Sequence, residues 1–176
     1  MAVLKKNFFG GSGEIVAREL LGKYLARRVG GKTTRLVISE VELYEGFEDK
    51  ASHASRGMTK RNAPMFGEAG IWYVYFTYGM HWMLNIVVGP KNFPAAILIR
   101  AAGGVNGPAR LTKFLKIDKK INNKTASRKT GLWIEDNPDF EISKFKIKKS
   151  ARIGVAYAGP KWSKKLRRFF IDKKPD

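Results

Sequence analysis

The sequence predicts an α+β domain built on a mostly antiparallel sheet, and three observations carry that expectation. Several strand-like runs follow one another, many of them joined by glycine-bearing turns of hairpin type. The helical patterns are few, short and interspersed among the strands. A length of 176 residues with 44% hydrophobic and 12% aromatic side chains is enough for one substantial core, and no repeat or long linker divides it. Residues 1–176 are therefore read as a single domain, with 1–11 and 173–176 at its periphery.

Ser12 is a candidate N-cap for a helix over Gly13–Leu21, in which Ile15, Val16, Leu20 and Leu21 form the apolar stripe and Gly22 ends it. Tyr24–Val29 and Arg35–Tyr44 read as strands flanking a Gly30-Gly31 turn. Residues 45–70 show little periodicity, and a loop of that length inside a compact domain is either functional or misread. A hairpin over 71–88 follows, then a strand at Ala95–Ala102. Gly103-Gly104 lead into Asn106-Gly107-Pro108, where proline suits the first turn of a short helix. Thr130–Glu135 and Ala151–Ala156 read as short strands, Leu166–Ile171 as the strand closing the sheet, and Lys173–Asp176 as a frayed tail.

Lys and Arg number 34 against 15 Asp and Glu, a formal net charge of +19. Such an excess favours a polyanionic partner, nucleic acid first. It is uneven: residues 110–176 hold 20 of the basic and 7 of the acidic side chains, so the first part has room for chemistry and the second reads as an electrostatic grip. There is no cysteine, which excludes disulfides, thiol nucleophiles and cysteine-ligated metals, and two histidines argue against a histidine-rich metal site. No metal or cofactor is expected. No apolar run reaches the ~20 residues a spanning helix needs, and no signal-peptide core is evident, so an intracellular setting is expected, cytoplasm or nucleoid if the source is bacterial.

The stretch Tyr73-Val74-Tyr75-Phe76-Thr77-Tyr78-Gly79-Met80-His81 alternates large residues, breaks at Tyr-Gly-Met and resumes through Asn85. It places a tyrosine and a methionine at a hairpin tip, where polar residues are usual. In a basic protein, such a tip suits a wedge between stacked bases. Upstream, Glu40, Glu42 and Tyr44 share one face of a strand, with Val41 and Leu43 on the other. Glu40 reads as a solvated polar residue. Glu42, flanked by Tyr44 and followed by a loop containing His53, fits either a solvated face or a general base toward water. Tyr73 and Tyr75 fit an ordinary aromatic sheet face; Asn85 fits a satisfied core amide or a base-reading group. Arg100 is a surface arginine or a brace for a carboxylate and its water.

These residues together resemble the alkyladenine (3-methyladenine, N-methylpurine) DNA glycosylase family. The resemblance runs through Glu40-Val41-Glu42-Leu43-Tyr44-Glu45-Gly46, Asp49 to Gly57, Arg61-Asn62, Met65-Phe66, Tyr73 to His81 and Asn85. It continues at Leu98-Ile99-Arg100-Ala101, Asn106-Gly107-Pro108 and Arg152-Ile153-Gly154-Val155, covering most of residues 12–172 in order. It implies a single mixed domain with a curved antiparallel sheet, a protruding DNA-intercalating hairpin, and excision of alkylated purines from double-stranded DNA by a monofunctional, monomeric enzyme. Candidate substrates are 3-methyladenine and 7-methylguanine, with hypoxanthine and ethenoadenine beyond them. By position, Glu42 would activate water and Arg100 would help hold it. Tyr44, His53 and Tyr75 would wall the flipped base, and Asn85 would sit under its edge. Tyr78 would fill the vacated stack, Met80 and His81 would line the groove, and Thr59 and Met65 would lie near the flanking backbone. Arg110 and Lys113 are further candidates for backbone contact. His81 stands where the family often has an aromatic residue. Residues 119–129 and 136–150 match poorly and receive no role.

A non-catalytic basic RNA-binding module is the chief rival; it leaves an acidic Glu42 among aromatic side chains unexplained. A protein of anionic membrane surfaces would need a basic amphipathic helix, and the basic residues are instead scattered.

Overall fold

The computed structural model describes residues 1–173. Helices α1 (Lys6–Phe9) and α2 (Gly13–Leu20) precede the hairpin of β1 (Tyr24–Val29) and β2 (Lys32–Glu45). After a long connection come β3 (Trp72–Thr77), β4 (His81–Val87), β5 (Ala95–Ala102) and the short β6 (Val105–Asn106). Helix α3 (Pro108–Phe114), β7 (Leu132–Glu135), β8 (Phe145–Ser150), α4 (Gly159–Ser163) and β9 (Arg168–Lys173) complete the described chain. The strand order is β3-β4-β5-β2-β1-β7, with β9 also beside β2 and β8 beside β9, and the pairings are antiparallel. The α+β class and the mostly antiparallel sheet expected from the sequence are what the fold contains.

β2 organises the molecule. Its first half pairs with β1 and its second half lies between β5 and β9. Where the halves meet, Ile38 pairs with Ala102, Glu40 with Ala101 and Val41 with Ile99, so Ser39 and Arg100 have no opposite residue. Such a bulge bends a strand and re-aims its side chains, and this one falls next to Glu40 and Glu42. Beyond it, one face of the sheet presents Val41, Leu43, Leu84, Ile86, Ile97 and Ile99 to the core, covered by Val16, Ala17 and Leu20 of α2 and by Leu111 and Leu115. Burying each large apolar side chain contributes about 1.5–3 kcal/mol, which makes this register hard to slip. The other face is left to carry Glu42, Tyr44, Tyr73, Asn85, Ala96 and Leu98.

Several sequence expectations shift. Residues 1–11 are integral: the Leu4 amide donates to the Ile134 carbonyl (2.9 Å), and Phe9 lies in the core. Ala151–Ala156 is no strand. Gly154 sits at φ 75, and Arg152 is buried in polar bonds; both break a ladder. The strand lies just before it, at β8, in a segment given no role. Lys173 ends β9 rather than fraying, and the remaining tail residues 174–176 lie outside the described residues. Ser12 flanks α2 without a side-chain cap bond. Among the described residues, no helix is long and apolar enough to cross a membrane.

Candidate active site

A cleft of about 920 Å³ opens on the polar face of the sheet. Register explains its lining: Glu42 pairs with Leu98, Leu98 with Asn85 and Asn85 with Tyr73, so these four side chains share one row. Tyr44 and Ala96 form the next pair, and Tyr75 lies beyond Tyr73. The long loop after β2 supplies a second wall with His53, and residues 153–157 supply a third. The 45–70 connection is therefore an irregular loop that lines the cleft, apart from short 3-10 turns at His53–Arg56 and Ala63–Phe66.

Glu42 has no solvent-exposed surface. Its Oε2 accepts from the Tyr44 hydroxyl (2.8 Å), its Oε1 accepts from the Ile153 amide (2.8 Å), and Arg100 Nη1 lies 3.5 Å from Oε1. Burial raises its carboxyl above the usual glutamate value, against the lowering pull of Arg100 and of the two hydrogen bonds. Burial also raises the Tyr44 phenol, with the Glu42 charge adding to the shift, so Tyr44 remains a donor to the carboxylate. A raised, desolvated carboxylate in a cleft is the arrangement a general base needs.

Around it stand aromatic rings. Tyr75 lies 5.2 Å from Tyr73 and 4.6 Å from His53 between ring centroids, and Arg61 sits 5.2 Å from the Tyr75 ring centre. His53 Nδ1 is 2.9 Å from the Tyr73 hydroxyl. Desolvation lowers the His53 imidazole below its ordinary value and the Arg61 charge lowers it further. Asn62 fixes the loop that presents it, donating to the carbonyls of His53 and Gly57 (both 2.9 Å). Asn85 is buried and donates to the Tyr73 carbonyl (3.1 Å), which satisfies one of its two readings while leaving it on the cleft wall.

The hairpin tip closes through a Met80 amide bond to the Thr77 carbonyl (3.1 Å), with Tyr78 (φ 53) and Gly79 (φ 65) both left-handed. Glycine adopts this freely; a tyrosine does so under strain, and this one is 79% exposed at the cleft margin. Met80 is exposed beside it and His81 is half-buried opposite Thr77. Arg110 and Lys113 are exposed on α3, whose Pro108 reaches the cleft. Thr59 is exposed and bonded to Asn62. Met65, expected near a flanking backbone, is only 2% exposed and packs with Tyr73, Ala54 and Ala96 in the cleft wall.

Four site residues carried no assigned role in the sequence reading. Asp49 and Arg152 form a fully buried fork, with bonds of 2.6 and 2.8 Å, and Arg152 also donates to the Leu43 carbonyl (2.9 Å) while lying 4.7 Å from the Tyr44 ring centre. The fork ties the loop after β2 to residues 151–155 and so delivers the Ile153 amide to Glu42. Tyr157 lines the cleft and donates to the Ala51 carbonyl (2.9 Å). Glu40, expected to be solvated, accepts from both Arg100 Nε (2.9 Å) and Arg168 Nη1 (3.0 Å). Asp49 and Arg152 stood within the quoted motifs; nothing local signalled that they meet.

A family model described as methylpurine-DNA glycosylase (MPG) matches residues 7–105 and 103–175. A protein of Legionella pneumophila (strain Corby) named "Putative 3-methyladenine DNA glycosylase" is 38% identical over 182 residues, 99% of this chain and 97% of its own. Proteins of the same name from Anaeromyxobacter sp. (strain Fw109-5) and Methanocella arvoryzae are each 38% identical; they cover 96% and 90% of this chain and 89% and 88% of their own.

Proposed function

The chain belongs to the methylpurine-DNA glycosylase family, and from that premise we propose that it removes alkylated purines, such as 3-methyladenine and 7-methylguanine, from duplex DNA by hydrolysis of the N-glycosidic bond. The observation that carries this reading is Glu42: a fully buried carboxylate at the floor of an aromatic cleft, below an exposed tyrosine tip, in a chain of net charge +19.

A stacked base is out of reach, so it is first extruded, at a cost of a few kcal/mol that is smallest for damaged bases. Tyr78 replaces the lost stacking. Alkylation at N3 or N7 makes the purine cationic; it then gains ~0.5–2 kcal/mol against electron-rich rings such as Tyr75 and Tyr44, and becomes a good leaving group. Glu42 accepts a proton from the attacking water, and its buried charge, weakly screened, faces the positive charge developing on the sugar. Arg100 lies close enough to Glu42 to orient that water. Asn85 on the wall opposes the 2-amino group of undamaged guanine. Water being the nucleophile, the product is an abasic site in an intact strand. The basic surface binds duplex DNA through its phosphates as a monomer, with an affinity that falls with salt.

The test is single-turnover incubation with methylated duplex DNA and, in parallel, a duplex with one hypoxanthine, products resolved with and without alkali. Released methylpurines, with strand breaks only after alkali and none with Glu42→Gln, are expected. No release at saturating protein together with tight RNA binding would replace the reading with a basic binding module.

A further inference from the structure

Glu40 is a charged group beside the cleft that the reaction above does not use. Its Oε1 accepts from two guanidiniums, Arg100 Nε at 2.9 Å and Arg168 Nη1 at 3.0 Å. Arg168 is itself anchored, donating from Nε to Ser150 Oγ at 2.7 Å and lying 5.0 Å from the Phe170 ring centre. Arg100 has a second carboxylate within reach, yet its Nη1 stops 3.5 Å from Glu42 Oε1, well beyond the ~2.7–2.9 Å of a good charge-assisted bond. The guanidinium is thus shared unequally, in favour of the carboxylate that does no chemistry. Its geometry follows from the bulge, which leaves Arg100 without an opposite residue between the two glutamates. Released from Glu40, a side chain that is only 13% exposed would turn to the nearest remaining carboxylate, Glu42.

We propose that Glu40 is a positioning residue that holds Arg100 short of full contact with Glu42, leaving Glu42 the basicity that water activation requires; the inference rests on the catalytic role given to Glu42 above. The groups facing Glu42 are Glu40 and Tyr44 from β2, Arg100 from β5, Tyr75 from β3, and the Ile153 amide and Tyr157 from the 151–158 segment. Arg168 of β9 stands directly opposite Glu42 in the sheet and turns its guanidinium onto Glu40, and Arg152 reaches Glu42 through Tyr44. Glu40 pushes the Glu42 carboxyl upward and Arg100 pulls it downward, so losing the Glu40 charge and tightening Arg100 act in the same direction.

The experiment is a pH titration of the glutamate side-chain carboxyl carbons by 13C NMR on the full chain, with Glu42 assigned by its disappearance in Glu42→Gln. In Glu40→Gln the Glu42 midpoint is expected to fall by about one pH unit or more. Arg168→Gln leaves Glu40 on Arg100 and is expected to move the midpoint no lower. Single-turnover excision by Glu40→Gln should slow roughly 10- to 100-fold with unchanged duplex affinity, its acid limb shifting down with the NMR midpoint. Glu40→Asp keeps the charge and should recover part of both changes; if Glu40→Gln does not fold, the smaller downward shift in Glu40→Asp is the deciding reading. An unmoved or raised Glu42 midpoint in the folded Glu40 variant overturns the proposal. A wild-type protein that excises no lesion overturns the catalytic reading and the role of Glu40 with it, and the NMR midpoints distinguish that failure from a wrong account of the carboxylates.

Discussion

Replacing Asp49 by asparagine removes the countercharge of a buried guanidinium while keeping the side-chain volume. Asp49 and Arg152 are both fully buried and share bonds of 2.6 and 2.8 Å, and Arg167 Nη1 approaches the same carboxylate at 3.4 Å. In Asp49→Asn, Arg152 retains the carbonyls of Leu43 and Trp162 and the Tyr44 ring, none of which is an anion, and its Nε already has no hydrogen-bond partner among the described residues. Removing one member of a buried pair costs about 3–5 kcal/mol. At this chain length 1 kcal/mol moves Tm by about 2–4 °C, so the melt followed by circular dichroism should fall by roughly 6–20 °C. With a total stability of ~5–15 kcal/mol, most of the range leaves the variant folded at 25 °C, where excision should nevertheless fall, because the fork no longer holds the Ile153 amide on Glu42. Arg152→Met closes the cycle: the double variant should be less destabilised than the sum of the singles, since no charge remains stranded. A loss of Tm below about 2 °C in Asp49→Asn, with strictly additive effects in the double variant, would refute the reasoning.

Three further outcomes follow from the cleft. Burial raises Glu42 and the ionised form is the base, so excision should rise with pH through a midpoint above the usual ~4.3 of a glutamate and disappear below it; a midpoint at or under that value counts against Glu42 as the titrating group. A raised carboxyl also means that the fold loses stability as pH climbs from the unfolded-state value to the folded one. Glu42→Gln should therefore melt higher than wild type at neutral pH, and this advantage should vanish below about pH 4 in parallel melts. Tyr78→Asn should leave Tm unchanged or raise it, because asparagine tolerates the left-handed backbone that costs a tyrosine ~1 kcal/mol. The same substitution should lower excision roughly 10- to 100-fold, the value of a lost stack of ~1–3 kcal/mol.

Much of the fold was legible because it rests on local patterns. The β3–β4 hairpin follows from alternation broken by Tyr78-Gly79, β5 from the apolar run Ala95–Ile99, and the Gly30-Gly31 turn from residues that accept a left-handed backbone. The apolar residues of Ala151–Ala156 suggest a strand, whereas a buried arginine and Gly154 turn the chain. Met65 carried no sign in sequence that it would pack behind Tyr73, and Phe9 none that the N-terminal segment would enter the core.

Within the cleft the division is similar. Glu42, Tyr44, His53, Tyr75, Tyr78 and Arg100 are named by the family resemblance, whereas periodicity alone places Glu42 and Tyr44 on one strand face and Tyr78 at a turn. What each of them touches was decided by tertiary structure alone. Asp49 and Arg152 stand 103 residues apart, as Glu42 and the Ile153 amide stand 111 apart, and no periodicity reports a contact at such separation. The bulge that aims Arg100 between Glu40 and Glu42 is a property of two strands in register, not of either strand. The sequence by itself determined the charge, the strand alternation and the residue types available for chemistry. Long-range pairing and burial decided which carboxylate is desolvated and which is held by two arginines, because desolvation depends on every chain segment that excludes water from the site.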